Sequence, residues 1–246
     1  MIRKRLVLSS LLFALAAFAA AAPFGARAVA QDCVLDKCLG QKSAPRADSR
    51  MRSAVAPGDF DYYVLALSWS PGFCALARGS RDRDQCEPGA RLGFVVHGLW
   101  PQRDGELIAD CQAGLRPPSR LDMSAARDLF PTESLARYEW RKHGGCTGLA
   151  PSAYFADVQR ARASVTVPAS LTDAREAARI APEEILRGFR EANPRLRPGM
   201  AAVSCPKGVL QEVRICLSKD LRDFTPCPDV VSRSCRARQI DAPPPL

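Results

Sequence analysis

The sequence predicts an α+β fold, a single domain in which a central antiparallel sheet is flanked by helices and held together by disulfides. Three observations favour this class. Short runs rich in aromatic and branched residues, bounded by Gly, Pro and charges, are typical of strands. Helical patterns are grouped between these runs rather than alternating with each of them, which favours α+β over α/β. Ten cysteines, an even number, indicate disulfides in an exported chain.

Three segments are predicted to form strands, at residues 60–68, 92–96 and 209–217. The first two are apolar almost throughout, as expected of buried strands. The third alternates apolar and polar side chains from Glu212 onward, which is typical of an antiparallel sheet with one wetter face.

Four segments are predicted to form helices, at residues 123–130, 134–143, 152–163 and from Pro182 up to the stop at Asn193-Pro194. In the third of these, Tyr154, Phe155 and Val158 fall on one side. Pro182 suits the first turn of the last helix, and Pro194 prevents its continuation.

The first 30 residues are predicted to be a secretory signal peptide. Three basic residues precede an apolar run at 6–22, and residues 28–30 offer a small-residue cleavage site. A retained membrane anchor is the alternative, but the run is short for a span and Pro23 follows it. We therefore expect a periplasmic or secreted protein, monomeric and without stable membrane association.

The rest of the chain is predicted to contain one main domain at residues 59–240. Residues 31–58 form a small loop closed by Cys33 and Cys38 and then a flexible linker, and residues 241–246 form a mobile, proline-rich tail. Removal of the leader takes away four basic residues and no acids, which lowers the formal net charge from +9 to +5. Such an excess favours the approach of a polyanion without showing that one is bound.

The chain contains only two histidines, and both lie among residue types used in active sites. Imidazole is the side chain whose ordinary pKa, about 6.5, allows proton transfer near neutral pH. His97 closes a predicted strand, and Gly98 after it leaves the backbone open to a ligand. Trp100 offers a face on which a base can stack, at about 1–3 kcal/mol per base. Taken alone, His97 and Trp100 could equally be core residues.

The second histidine ends a predicted helix. Glu139, Lys142 and His143 share one helix face, whereas Arg141 points away. Two glycines follow His143 and place it at the negative end of the helix dipole, where an imidazolium is favoured, so we expect raised basicity. Taken alone, this group could be a solvated helix face; together with His97 it predicts acid–base chemistry.

Two segments, 94–101 and 138–146, resemble the two active-site segments of the ribonuclease T2 family. Segments 65–74 and 212–216 are similar to strands of that family, so the resemblance covers about residues 60 to 235. The leader and residues 137–139 make the chain most similar to the bacterial, periplasmic ribonuclease I branch.

The resemblance implies an endoribonuclease that needs neither metal nor cofactor and has low base specificity. Such an enzyme cleaves single-stranded RNA through attack of the 2′-hydroxyl, giving 2′,3′-cyclic phosphates and then 3′-phosphates. The implied roles are His143 as base assisted by Glu139, His97 as acid, and Lys142 with Glu139 stabilising the transition state. The sequence leaves open an exchange of the acid and base roles.

The resemblance also implies residues that bind substrate. These are Trp100 and, less directly, Gln102, where many relatives have aspartate. Trp69 and Phe73 could form a second base site or belong to the core. Tyr138 stands where many relatives carry a third histidine that contacts phosphate; its hydroxyl can donate a hydrogen bond but carries no positive charge, so activity could be reduced.

Five disulfides are implied by the same resemblance. The pairs are Cys74–Cys86, Cys111–Cys146, Cys205–Cys235, Cys216–Cys227 and, by what remains, Cys33–Cys38.

Two other functions are weighed against the ribonuclease. The first is an exported protein that binds RNA or another polyanion with weak or no catalysis, an alternative that Tyr138 supports. The second is a metallohydrolase, since Glu139 and His143 lie four residues apart. Lys142 on the same face would repel a dication, and the sequence offers no evident third ligand.

Overall fold

The computed structural model describes residues 55–76, 83–87, 89, 92–106, 108–111 and 116–245. These residues lie in a unit that spans residues 46–246. The predicted leader, the loop closed by Cys33 and Cys38, and most of the predicted linker lie outside the described residues. Of the helices in the described ranges, none is long and apolar enough to cross a membrane.

The centre of the fold is a four-stranded antiparallel sheet with the strand order β2-β1-β5-β4. A separate antiparallel pair is formed by β3 and β6. The strands are β1 (Tyr62–Trp69), β2 (Phe94–Gln102), β3 (Ala178–Ile180), β4 (Ala201–Ser204), β5 (Glu212–Ser218) and β6 (Ile240–Ala242). The predicted α+β class with a central antiparallel sheet is therefore confirmed.

Helices occupy the intervals between the strands, as the sequence predicts. They are α1 (Ser70–Leu76), α2 (Arg83–Cys86), α3 (Arg120–Ala126), α4 (Glu133–Lys142), α5 (Pro151–Ala163), α6 (Ala169–Thr172), α7 (Pro182–Ala192) and α8 (Pro228–Ser232). Short 3-10 turns follow α4 at Gly144–Thr147 and β4 at Pro206–Gly208. Helix α4 begins after Thr132, whose side chain accepts a hydrogen bond from the Leu135 N–H.

The two faces of the sheet have different surroundings because side chains alternate along each strand. One face packs against helices in the main core, to which β1 contributes Tyr63, Leu65, Leu67 and Trp69. The other face carries a much smaller apolar cluster formed by Tyr62, Val64, Cys216 and Cys227, with Trp100 packed against it. The second face therefore has only a small apolar core, and charged side chains of β5 such as Glu212 and Arg214 project from it.

Four of the five implied disulfides lie within the described residues and are present. They are Cys74–Cys86, Cys111–Cys146, Cys205–Cys235 and Cys216–Cys227. The fifth pair, Cys33–Cys38, lies outside the described residues.

Both predicted ends of the main domain are packed more closely than expected. Residues 55–58 were assigned to the linker, yet Val55 packs against the core and the Gly58 N–H donates to the Cys146 carbonyl at 2.9 Å. The predicted mobile tail begins inside β6, and the Pro243 carbonyl accepts a hydrogen bond from the Trp69 indole at 2.9 Å. Strand pairing and this hydrogen bond hold the chain as far as residue 243.

Candidate active site

His97 occupies a β-bulge in strand β2. Ala66 of β1 lies opposite Gly98 and Leu67 lies opposite Val96, so His97 is an extra residue without a partner across the ladder. A bulge redirects a side chain, and bulges are frequent beside active sites. The His97 ring meets the Trp100 indole edge to face, with their centroids 5.4 Å apart.

Two buried carboxylates face the two ring nitrogens of His97. Its Nδ1 lies 2.5 Å from Glu212 Oε1, and its Nε2 lies 3.6 Å from Glu139 Oε1. Burial by itself would lower the pKa of His97, and Arg214 acts in the same direction. The hydrogen bond and charge of Glu212, with the charge of Glu139, outweigh both, so the pKa of His97 is raised.

The contact between Glu139 and Trp100 occupies the space that a side chain at Gly98 would fill. The Trp100 indole donates to Glu139 Oε2 at 2.7 Å. A Cβ at Gly98 would lie 2.1 Å from that oxygen and 2.3 Å from Trp100 Nε1. Gly98 therefore makes room for these two protein groups, not for a ligand as the sequence suggested.

The Glu139 carboxylate is 1% exposed. Burial raises its pKa to about 7, although the charges of His97 and Lys142 and the Trp100 hydrogen bond act in the opposite direction. The group therefore takes up or releases a proton near neutral pH.

His143 caps the C-terminal end of α4. Its backbone N–H donates to the Glu139 carbonyl at 2.8 Å, and its ring packs against Trp100 with centroids 5.2 Å apart. The side chain is buried, and Nδ1 is the one buried side-chain polar atom of the described residues that lacks a hydrogen-bond partner. Trp100 thus lies between the two imidazoles.

The expected raised basicity of His143 is wrong. Burial, followed by the charges of Lys142 and His97, lowers the pKa of His143 to about 3, and Asp110 and the Ile108 backbone offset these effects only in part. A helix dipole contributes about 0.3–1 kcal/mol at an exposed terminus. Desolvation of a buried imidazolium is the larger effect, and it can shift a pKa by about 3–5 units.

Lys142 lies beside His143 at the end of α4. Residues 108–111 contact this end of the helix through Asp110 and Cys111. The Lys142 Nζ donates to Asp110 Oδ2 at 2.5 Å, and the Asp110 N–H donates to the Lys142 carbonyl at 2.8 Å. The disulfide between Cys111 and Cys146 closes the same junction. Because its charge lowers the pKa values of both Glu139 and His143, Lys142 belongs electrostatically to the same site.

We call the group formed by His97, Trp100, Glu139, Lys142 and His143 the two-histidine site. In the part of the chain that the structure describes, no three His, Cys, Asp or Glu side chains are grouped so that they could hold a metal ion.

Comparison with known proteins identifies the family. The family model described as "Ribonuclease T2 family" matches residues 60–227. A protein named "Ribonuclease" from Aeromonas hydrophila is 34% identical over 200 residues, which cover 79% of this chain and 89% of the relative. This chain belongs to the ribonuclease T2 family.

A second bacterial relative supports the similarity to bacterial members of the family, and solved structures support the fold. "Ribonuclease I" from Escherichia coli is 33% identical over 142 residues, covering 42% of this chain and 53% of the relative. The solved structure titled "RNase-related protein from Calystegia sepium" has a TM-score of 0.59 at 21% identity, covering 75% of this chain and 97% of that one. RNase NT in complex with 5′-AMP has a TM-score of 0.58 at 21% identity, with 76% and 100% covered. The ribonuclease T2-like fold is confirmed.

Of the two roles left open for Trp69, a second base site or a core residue, the structure favours the core residue. The residue belongs to the main core, its side chain is 1% exposed, and its ring packs 4.8 Å from that of Phe94. Phe73 is buried as well. A side chain without exposed surface cannot stack on a base.

The other predicted substrate-binding residues lie in different environments. Trp100 is partly buried between His143 and the Arg214 guanidinium, whose Cζ lies 5.3 Å from the ring centroid. Gln102, at the end of β2, is buried, whereas Tyr138 on α4 is 43% exposed. Base or phosphate contacts by these three side chains stay predictions, and Tyr138 has the most accessible surface of them.

Sequence reasoning missed two members of the site, Glu212 and Arg214. They precede Cys216 at alternating positions of β5, so all three point to one face of the sheet. That alternation was visible in the sequence and was interpreted only as a wetter face. It could have identified two charged residues aimed at the same side as Cys216.

Proposed function

We propose that this ribonuclease T2 family member is an endoribonuclease that cleaves single-stranded RNA through the 2′-hydroxyl, and that the two-histidine site performs the reaction. The observation that carries the proposal is the convergence of two imidazoles on Trp100, with Glu139 in contact with the indole and near His97. RNase NT, which shares the fold, holds the nucleotide 5′-AMP.

The opposite pKa shifts of the two histidines suggest their roles. His143, whose pKa is lowered, is neutral at pH 7 and can accept a proton. His97, whose pKa is raised by Glu212 and Glu139, retains its proton to higher pH than an ordinary imidazole and can donate it. Acid–base catalysis of this reaction needs one group in each state, so we assign His143 as base and His97 as acid.

In the first step His143 removes the proton of the 2′-hydroxyl, and the 2′-oxygen attacks phosphorus. The bond from phosphorus to the 5′-oxygen then breaks, and His97 protonates that oxygen. The products are a 2′,3′-cyclic phosphate and a 5′-hydroxyl end. In the slower second step His97 removes a proton from water, which opens the ring to a 3′-phosphate while His143 protonates the 2′-oxygen.

Lys142 and Glu139 act on the charge that accumulates on phosphorus. The Lys142 ammonium, one-third exposed, can turn from Asp110 toward a phosphate oxygen. Glu139, with a pKa of about 7, can be present as the neutral acid beside an anionic phosphate and donate a hydrogen bond to it.

The test uses mature protein, a defined oligonucleotide and EDTA, with the product ends identified by mass spectrometry. We expect cyclic phosphate ends that appear before 3′-phosphates, and loss of cleavage in His97→Ala and His143→Ala. A matched oligonucleotide with one 2′-deoxy sugar at the cleaved position should remain intact, because the nucleophile is missing. Arg179→Ala, which removes an exposed side chain paired with Asp241, is the control for substitution itself.

Other product patterns would decide against the proposal. Cleavage that EDTA abolishes would indicate metal chemistry, and cleavage of the 2′-deoxy position would exclude the internal nucleophile. RNA that is retained in a salt-sensitive manner yet stays uncut would favour a polyanion-binding protein.

We further propose that the protein acts in the periplasm or outside the cell. Four disulfides in the described residues are suited to an oxidising compartment. Detection of the protein in the periplasmic or culture fraction, beginning near Gln31, would test both this location and cleavage of the predicted leader.

A further inference from the structure

We propose that Glu212, held by Arg214, is the positioning residue of His97: it fixes which ring nitrogen carries the transferable proton. This inference rests on the proposed function, in which His97 is the acid. No part of it requires Glu212 to touch RNA.

Glu212 lies on a strand that is paired on both of its edges. It lies on β5, between β1 and β4, where it is paired with Ser68 on one side and Ser204 on the other. Its side chain is 5% exposed. A carboxylate with paired strands on both sides has little freedom to follow a moving imidazole, so the imidazole must conform to it.

Each oxygen of this carboxylate has its own partner. Oε2 accepts two hydrogen bonds from Arg214, from Nε at 2.9 Å and from Nη2 at 2.8 Å. Oε1 is thereby left to His97 Nδ1 at 2.5 Å. Arg214 is itself held over the Trp100 ring, so the arrangement connects β5 to the centre of the two-histidine site.

The contacts with His97 and Arg214 keep the Glu212 carboxylate ionised. Burial raises the pKa of Glu212, but the His97 hydrogen bond and the charges of His97 and Arg214 lower it to about 2. An ionised carboxylate only accepts hydrogen bonds, so the nitrogen that faces it must carry a proton. Nδ1 of His97 is therefore protonated in both charge states of the ring.

The transferable proton must then be on Nε2, the nitrogen that points toward Glu139 at 3.6 Å. After Nε2 protonates the leaving oxygen, the neutral ring keeps Nδ1–H and presents a lone pair on Nε2. That is the state needed to remove a proton from water in the second step. A single fixed tautomer thus serves both steps.

The charged groups that face His97 are Glu212, Glu139 and Arg214, and His143 lies across Trp100. Removing the charge of Glu212 leaves Arg214 without its partner beside His97. Glu139 remains, but it is farther from the ring and has a pKa of about 7. We therefore expect the imidazolium of His97 to be less stable in Glu212→Gln.

The first experiment compares kcat, KM and the pH profile of wild type and Glu212→Gln on a dinucleotide. An opposite charge in contact shifts a pKa by about 1–3 units, so the alkaline limb of kcat should move to lower pH by that amount. A general acid contributes about 10²–10⁴-fold, so kcat at the wild-type optimum should fall by about tenfold or more, with KM little changed. Glu212→Asp, which restores the charge, should recover part of the shift.

Glu183→Gln is the matched control, since Glu183 is an exposed partner of Arg190 on α7. If Glu212 had a purely structural role, Glu212→Gln would contain a smaller fraction of active enzyme, but the pH profile of kcat would not move. That result would overturn the inference. An inactive wild-type enzyme would instead contradict the proposed function.

A second measurement needs no variant and no activity. Long-range ¹H–¹⁵N spectra of wild type above the pKa of His97 should show the neutral ring protonated on Nδ1. A neutral ring protonated on Nε2 would overturn the inference, even if Glu212→Gln failed to fold.

Discussion

At the scale of single residues, the two histidines differ because their surroundings differ. His97 keeps contact with solvent and two carboxylates, whereas His143 is buried and near two cations, Lys142 and His97. A base whose pKa is about 3 is weak at neutral pH. A bound phosphodiester adds a negative charge that offsets those cations, so substrate binding should raise the pKa of His143 toward the working range.

This expectation can be tested by NMR titration, because only two imidazoles contribute. In free enzyme we expect His97 to titrate above 6.5 and His143 well below it, with His97→Gln used for assignment. A 3′-mononucleotide should raise the pKa of His143, and the matching nucleoside without phosphate should not. Titration of His143 at or above 6.5 in free enzyme would contradict our account of the base.

Gly98→Ala should damage the site through crowding alone. The added methyl group would overlap the hydrogen bond between Trp100 and Glu139, and both side chains must shift. Forcing atoms into packed space costs about 1–3 kcal/mol, and displaced groups should lower kcat/KM as well. Thermal unfolding and dinucleotide kinetics would measure the two effects.

Gly188→Ala provides the control on helix α7. A Cβ there meets only the Pro168 side chain at 3.4 and 3.5 Å, so stability should change little or rise by about 0.4–1 kcal/mol, with activity retained. Equal activity of the two alanine variants would show that the space at Gly98 is not needed.

The site residues that could be predicted from the sequence are those that lie within short recognisable segments. His97, Glu139 and His143 stand in two short segments that carry the family resemblance, and the structure brings them together. Glu212 was missed because its contact with His97 joins residues 115 positions apart. The role of Trp69 was left open because a strand end does not reveal which face of the sheet is core. The lowered pKa of His143 was missed because it depends on burial that a helix pattern does not show.

At the scale of elements, the segment 108–111 holds the end of α4 and therefore Lys142 and His143. The disulfide between Cys111 and Cys146 closes 35 residues, and that between Cys205 and Cys235 closes 30. Loop entropy depends weakly on length, so replacing either pair by serines should cost a similar stability of about 2–5 kcal/mol.

Activity should separate these two double variants. Loss of Cys111–Cys146 frees the junction that positions the proposed base, so kcat should fall even at a temperature where the variant is fully folded. Loss of Cys205–Cys235, which lies near β4 at the far edge of the sheet, should leave kcat unchanged under those conditions. Parallel losses of kcat would show that the first disulfide contributes only stability.

The elements that sequence patterns predicted are the long ones. Helices α4, α5 and α7 have enough turns for a periodic apolar face to emerge, and their observed bounds lie within about two residues of those predicted. Strands β3, β4 and β6 have three or four residues each, too few for a period to be read, and they were missed. Strand β2 extends to Gln102, beyond the predicted end at residue 96, because pairing with β1 continues past the bulge.

At the scale of the whole molecule, the excess of basic residues, a formal net charge of +5 once the predicted leader is removed, should attract RNA from a distance. Each phosphate that the protein neutralises releases counterions, so affinity for a long RNA depends more steeply on salt than affinity for a short one. A dinucleotide, with one phosphodiester, reports mainly on the two-histidine site. Comparing the substrates therefore separates long-range attraction from the chemistry of cleavage.

We expect kcat/KM for a long single-stranded RNA to fall between about 50 and 200 mM salt with a clearly steeper log–log slope than for a dinucleotide. An RNA of the same length, with uncharged methylphosphonates at all linkages except the cleaved one, should behave like the dinucleotide. Equal slopes for all three substrates would mean that binding is confined to the cleaved linkage. In that case the net positive charge of the molecule would have no part in substrate capture.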